Sequence, residues 1–409
     1  MKDIFDYLHE QDEDLDHLPR VELLESEKQD ALKYIRMREK KSADEDCICE
    51  QANAGAEERN PKTMRKGTKR STIAAVIAAA LAVGGTAYAA VRWNRGLEEG
   101  MQISQEQQDQ LATENFAQTV GQSVTDAGVT VSMDQCIVDN YFAYLSFNVT
   151  GYQLPEGAEP FIEETNVSVD GNDGYTGGGK FYDGIVSSPA GSLVYADGSQ
   201  LETDENGTAV THYVQADGSL QYVWTVSAGM DKGALIGKPI HVELKNLGTV
   251  DRTGNFTPDV EGTWAFDFTL PGSSSAKDVE LDASLGDTGA TVSKAEISPV
   301  SLYVEMNFPR QVEMTEYLDD GNGQTEVYTQ WQDAPALTGV RLKDGTLIPY
   351  IVDGGGAGYM EETGDTYIQR RGLNRVIDVQ QVDALLFYKT PVEDGKQPTE
   401  DNFYVVPIQ

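Results

Sequence analysis

Hydrophobic positions follow three different periods along this chain: helical over the first forty residues, unbroken from 71 to 91, and alternating beyond 116. The middle stretch is the plainest. From Ser71 to Val91 there are 21 residues without a charge or a proline, nine of them alanine. At ~1.5 Å per residue a helix of that length reaches about 31 Å, the thickness of a bilayer's hydrocarbon core. A buried core helix would carry a polar face, and this segment has none. The pattern therefore predicts a single membrane span, anchored between Ser71 and Val91.

Upstream, Asp3 can cap a short helix bearing Ile4, Phe5 and Leu8, and Pro19 suits the first position of a second helix. On that second helix Val21, Leu24, Ala31, Leu32 and Ile35 form one stripe, interrupted by Lys28. Residues 42–61 lose the pattern and read as a tether. A stripe with no domain of its own to cover needs a partner, which makes Val21, Leu24, Leu32 and Ile35 the candidate partner-binding residues. The plainer alternative is a disordered tail with nascent helix.

Charge orients the span. Lys62, Arg65, Lys66, Lys69 and Arg70 precede it, and only Arg92 and Arg95 follow closely. The bias puts residues 1–70 in the cytoplasm and the C-terminal part outside, with Tyr88 and Trp93 as interfacial aromatics. The "AYA" at Ala87–Ala89 imitates a signal-peptidase site, but a signal peptide has no leader of seventy residues.

Past the span, residues 92–115 read as a juxtamembrane helix and linker, in which Ser104 and Gln107 have the spacing of a capping box. The period then becomes two. Tyr141, Ala143, Leu145, Phe147 and Val149 alternate with a second set, predicting a strand with one buried face. Leu220–Val226, Ile240–Leu244 and Trp264–Leu270 behave likewise. Eleven Asp-Gly or Asn-Gly pairs between Asp170 and Gly395 supply tight turns. "DAGVTVS" at Asp126–Ser132 is echoed by "DTGATVS" at Asp287–Ser293, each leading into an aromatic-aliphatic strand. With "PGSSSAKD" as a linker, the reading is mainly β: two extracellular antiparallel β-sandwich domains, near 116–271 and 275–409, beside one transmembrane helix and a short helical cytoplasmic segment.

Charge and chemistry narrow the function. Residues 1–70 hold 14 Lys+Arg and 18 Asp+Glu, net −4, and residues 92–409 hold the remaining 17 and 49, net −32. That outer acidity repels nucleic acid, so no nucleic-acid partner is expected. Cys136 is alone outside, which excludes a disulfide framework there. The Cys47–Cys49 pair is spaced too closely for an ordinary zinc site. His212 and His241 fall in strand-like settings, "SSAK" at Ser274–Lys277 sits in the linker, and "DGNDG" at Asp170–Gly174 lacks the ligand spacing of a calcium loop. The expectation is a non-enzyme with no metal and no cofactor.

The layout of "MKDIFDYL", the charged helix "ESEKQDALKYIRMREK", a basic stop, one span and then "VGQSVTDAGVTVSMDQCIVDNYFAYLSFNVTG" resembles bacterial membrane proteins that carry the extracellular domain of unknown function 4179. The second outer domain resembles the Ig-like C-terminal domain found in that family. The resemblance implies a cell-membrane protein of Gram-positive-type bacteria, anti-sigma-factor-like, whose residues 1–70 restrain an extracytoplasmic-function sigma factor while the outer domains sense an unidentified ligand or envelope signal. The His-x3-Cys-x2-Cys signature of zinc-type anti-sigma factors is absent. The alternative is a surface-anchored binding or structural module with no regulatory role.

Overall fold

The computed structural model describes residues 93–409, except 206, 230, 311, 320–324, 362, 394–395 and 409, and only the backbone over 312–331. The expected anchor between Ser71 and Val91 and the expected stripe of Val21, Leu24, Leu32 and Ile35 lie outside the described residues. Among the described residues no helix is long and apolar enough to cross a membrane. What is described is mainly antiparallel β, as the alternation predicted.

Helices α1 (Arg95–Glu98) and α2 (Gln105–Thr113) come first. Ser104 caps α2, and its capping box with Gln107 is present. A first half follows: β1 (Ala117–Asp126), β2 (Val129–Val138), β3 (Phe142–Thr150), β4 (Glu159–Val169), β5 (Thr176–Phe181), β6 (Ile185–Ser187), β7 (Leu193–Tyr195), β8 (Leu220–Ser227), β9 (Pro239–Val250) and β10 (Phe256–Thr269). The second half holds β11 (Lys277–Ser284), β12 (Thr291–Ile297), β13 (Ser301–Asn307), β14 (Val312–Asp319), β15 (Thr325–Trp331), β16 (Leu337–Leu342), β17 (Leu347–Ile348), β18 (Val352–Tyr359), β19 (Thr366–Leu373), β20 (Val382–Tyr388) and β21 (Phe403–Pro407).

The halves repeat one topology. The first pairs its strands as β1-β2-β3-β8-β5 and β10-β9-β4; the second as β11-β12-β13-β19-β18 and β17-β16-β20-β21. Strand for strand, β4, β9 and β10 correspond to β16, β20 and β21. The echoed heptapeptides fall on matching places, the turn from β1 to β2 and the turn from β11 to β12. At the first of these Ala127 and Gly128 both take positive φ, 49° and 84°, which closes a two-residue hairpin. The copies differ in what is inserted: residues 182–219 between β5 and β8, and the β14–β15 hairpin between β13 and β16.

Each half has its own core between its two sheets, around Phe147, Trp264 and Phe266 in the first and Val304, Phe308 and Phe387 in the second. Trp264 Nε1 donates to the Val129 carbonyl across the first core at 3.1 Å. A third core lies between the halves and takes in the N-terminal segment: Leu97, Met101, Ile103 and Leu111 join Phe116, Phe142, Tyr144, Val300, Tyr303 and Ile368. This corrects the expectation of one buried face for β3. Phe142, Tyr144 and Ser146, on its second face, are buried as well, because the third core covers them. Burying a large apolar side chain contributes roughly 1.5–3 kcal/mol, so exposing four of them would consume a typical domain's whole net stability of about 5–15 kcal/mol.

The polar centre of this junction is Asp139, 1% exposed. One carboxylate oxygen accepts from the Tyr141 and Phe142 amides at 2.9 and 2.8 Å, closing the β2–β3 turn. The other accepts from the Ser298 and Ser301 hydroxyls of the matching β12–β13 turn. Burial pushes the Asp139 carboxyl upward in pKa, and these four donors pull it back. Beside it Glu296, 3% exposed, accepts from Lys232 of the first half at 2.7 Å and from Lys294 at 3.0 Å. Burial works to raise the Glu296 pKa, but the two lysines outweigh it and hold the carboxyl below its ordinary range.

Two outcomes follow for stability. Asp139→Ala orphans two buried amides and two hydroxyls and should cost roughly 3–5 kcal/mol in urea unfolding. Asp139→Asn should cost about 1–3 kcal/mol, because Ser298 Oγ already accepts from Val300 and Ser301 amides and its proton has only an acceptor to go to. Glu296 gives the pH dependence. Its folded pKa is depressed, so its contribution is fully present above the unfolded value and is lost as pH falls through the folded one. The stability gap between the wild type and Glu296→Gln should therefore be widest near neutrality. It should close below the ordinary glutamate value of 4.5; a gap that widens in acid would contradict the assignment.

Candidate functional site

The two sheets of the first half end on the same flank, one at β5 and the other at β4. The sequence of β5, Thr-Gly-Gly-Gly-Lys-Phe, decides what that flank looks like. Gly177 and Gly179 stand opposite Val226 and Trp224 on β8, with Phe181 opposite Tyr222. A Cβ on Gly177 would lie 2.7 Å from Trp224 Nε1, and one on Gly179 would lie 2.3 Å from Tyr222 Oη; on Gly178 it would meet nothing within 4 Å. The inner side of β5 is thus bare backbone, and the rings of β8 pack directly beneath it. Glycine in a strand weakens the pairing entropically, and aromatic rings laid across it offset part of that loss.

Beside these rings, between β4 and β5, the flank stays open. Two adjoining cavities of about 470 and 390 Å³ run along it and share Thr165 and Trp224. The larger is bordered by Thr165–Ser168 of β4, by Asp173, Tyr175 and Gly177, and by Trp224, His241 and Glu243. The smaller adds Phe161, Lys180, Asp183, Tyr213 and Tyr222. Tyr222 Oη and Thr165 Oγ1 are 3.2 Å apart and tie the two sheets behind the opening. Trp224 Nε1 is buried and has no hydrogen-bond partner among the described residues.

The lining is acidic. Glu159, Glu163, Asp173, Asp183 and Glu243 are set against Lys180. A hydrogen bond from Lys245, at 2.8 Å, holds the Glu243 carboxyl below its usual range. His241 Nδ1 is 2.9 Å from Asp267 Oδ1 on the exposed side of the neighbouring strand. Among the described residues no histidine is hydrogen-bonded to a serine, threonine or cysteine, so no nucleophile–base pair is assembled there. The arrangement suits recognition: aromatic surface, free strand edges and fixed negative charge.

The residues singled out in the sequence are dispersed. His241 is the half-exposed sheet residue expected, while His212 sits in the irregular part of the insertion, 4.9 Å from the Tyr195 ring centroid. Asp170–Gly174 forms the turn leaving β4, with Asp170 paired to Lys238 at 2.8 Å. Among the described residues no group of three or more His, Cys, Asp or Glu side chains converges as a metal site. Cys136 is fully buried, and burial pushes its thiol up in pKa, so it behaves as a small core residue. Sequence reasoning missed the flank itself, although the glycine run and the alternating aromatics of β8 were both on view.

The glycines give a direct check. Gly179→Ala, which drives a methyl group into Tyr222, should cost about 1–3 kcal/mol in thermal or urea unfolding. Gly178→Ala, one residue away and facing open space, should stay within about 0.5 kcal/mol.

Against known proteins, the model of a family described as a domain of unknown function, DUF4179, matches residues 62–151. That stretch takes in the basic residues before the proposed span, both short helices and strands β1 to β3. No curated protein matches the chain. A solved structure described as the crystal structure of the conserved domain protein from Bacillus anthracis is similar at a TM-score of 0.35 and 14% identity, over 71% of this chain and 89% of that one.

Proposed function

We propose that this protein is a single-pass membrane regulator of the anti-sigma-factor-like kind. In this reading residues 1–70 lie in the cytoplasm and hold an extracytoplasmic-function sigma factor through Val21, Leu24, Leu32 and Ile35. Residues 71–91 cross the membrane, and the β region outside, its second half an Ig-like domain, acts by binding a ligand rather than by catalysis. The DUF4179 match supports it, since that domain is known in anti-sigma-factor-like proteins.

One observation carries the reading further. Helix α1 begins four residues after Val91 and packs on β8, the strand whose inner face lines the open flank. A Cβ on Gly96 would sit 3.1 Å from Gln221 Cβ and 3.3 Å from Val223 Cγ2. Tyr182 Oη, from the insertion, donates to Glu99 at 2.9 Å, and Arg95 pairs with Glu99 at 2.7 Å. Leu97 is wholly buried. A loose linker would isolate an outer sensor from its span; here the chain enters the folded body almost at once.

The test is capture of a sigma factor by the full chain in detergent. Truncating a hot-spot aliphatic typically costs about 2–4 kcal/mol, so Leu24→Ala with Ile35→Ala should weaken capture by about a hundredfold or more. It should also raise transcription from sigma-dependent promoters. Replacing Lys40 and Lys41, off the stripe, should act mainly through salt dependence. If no sigma factor is captured and transcription is unchanged, the regulator reading falls and the surface-module reading takes its place.

A further inference from the structure

We propose that the bare edge of β4 over Thr165–Ser168 accepts an extended, basic peptide segment as an added antiparallel strand. The internal duplication supplies the main argument. In the second half the matching strand, β16, does not end its sheet: β17 pairs with it antiparallel, Ile348 opposite Val340 and Leu347 opposite Arg341. In the first half the chain starts the same move and abandons it. After β4 it turns and makes a single bridge, Asn172 to Val169, then crosses to β5 in the other sheet. Beyond that bridge, among the described residues, the position that β17 fills in one copy is vacant in the other.

The composition of β4 marks where that vacancy is usable. Its first part carries Glu159, Pro160, Glu163 and Glu164, residues that discourage strand addition. From Thr165 to Ser168 there is neither charge nor proline, and only beyond it are the Val169 amide and carbonyl taken up by Asn172. This is also the stretch that borders the cavity of about 470 Å³. An added strand would send alternate side chains toward β5 and the Trp224 ring packed against its glycines. There Trp224 Nε1 is buried and has no hydrogen-bond partner among the described residues.

Charge selects the occupant. Asp173 and Glu243 flank the uncharged stretch, and Glu159, Glu163 and Asp183 continue the negative lining. A peptide with lysine or arginine at its outward positions is attracted to this edge. A second copy of the same β4, bringing its own glutamates, is repelled. The inference deepens the reading of the flank as a ligand site and does not involve residues 1–70, so it and the sigma-factor reading can fail separately.

The experiment is fluorescence anisotropy with the full chain in neutral detergent and a labelled ten-residue peptide of alternating lysine and valine. Saturable binding is expected, at least tenfold tighter than for the glutamate–valine counterpart. Asp173→Asn with Glu243→Gln should weaken it about tenfold without changing the melting temperature. Strand addition has its own signature: methylating one alternate set of backbone amides in the peptide should abolish binding, and methylating the other should change it less than threefold. Hydrogen exchange should then slow at the Thr165 and Val167 amides. No binding, equal binding of the acidic peptide, or equal effects of the two methylated sets would overturn the proposal. So would protection of the Thr165 and Val167 amides in the free chain that disappears on dilution, which would make a second copy the occupant.

Discussion

The described part of the molecule depends on one carboxylate that serves two turns at once. Asp139 opens the four-residue turn from β2 to β3, and Ser298 opens the corresponding turn from β12 to β13. Each caps its own turn by accepting from the amides two and three residues on. The serine's acceptor capacity is used up by those amides, so its proton points outward, to Asp139. Ser301 adds a second hydroxyl, and the carboxylate's four acceptor sites are filled. A slip of either turn by one residue would strand buried donors on both sides. Apolar packing in the third core supplies attraction between the halves without specifying a register; this polar node specifies it.

Duplication makes the arrangement economical, and divergence makes it asymmetric. Tyr144 and Tyr303 occupy equivalent places, the sixth residue counted from Asp139 and from Ser298. The Tyr144 hydroxyl donates to the Val300 carbonyl at 3.0 Å and accepts from the Leu373 amide at 2.9 Å, so it bridges to the other half. Tyr303 instead lies flat on Tyr141, ring centroids 5.1 Å apart, and bonds to Glu305 in its own strand. Two copies that began alike thus meet through unlike contacts, and the N-terminal segment fills the space between. Gln107 Nε2 reaches the Val376 carbonyl at 2.9 Å, and the Val376 amide returns a bond to Met101. That segment is therefore part of the junction.

The alternation of β3, β8, β9 and β10 made the antiparallel β class readable, because a strand's two-residue period survives any tertiary context. The capping box at Ser104 was readable for a similar reason: four residues and one turn contain the whole interaction. The heptapeptide echo gave seven residues of a duplication that extends over whole sheets, since a conserved backbone path needs side-chain identity only at tight turns. What escaped were the places where one face serves two neighbours. Phe142, Tyr144 and Ser146 looked like an outer face because nothing local says that another half will cover them. Asp139 carries no local signal of its role, since its second set of partners lies 159 and 162 positions away. The open flank escaped because a glycine run looks the same in sequence whether a ring, a ligand or solvent lies above it.

The edge of β4 and the junction are connected through a single strand. β8 turns Tyr222 and Trp224 toward the open flank and Gln221 and Val223 toward the other side, where α1 approaches closely enough that Gly96 admits no side chain without displacement. Alternation along a strand couples these faces rigidly: a backbone shift that moves Trp224 moves Val223 with it. Adjacency of this sort is not yet a switch, which needs an element with two discrete arrangements. The flank contains the ingredients for one, since β5 is held to β8 through a glycine backbone of low intrinsic strand preference and Trp224 Nε1 is left without a partner among the described residues. An occupant that supplied that partner would favour one position of the indole. The strand carrying it is the strand on which the first helix after the proposed span is seated, so the same displacement would be delivered to α1 with no intervening loop.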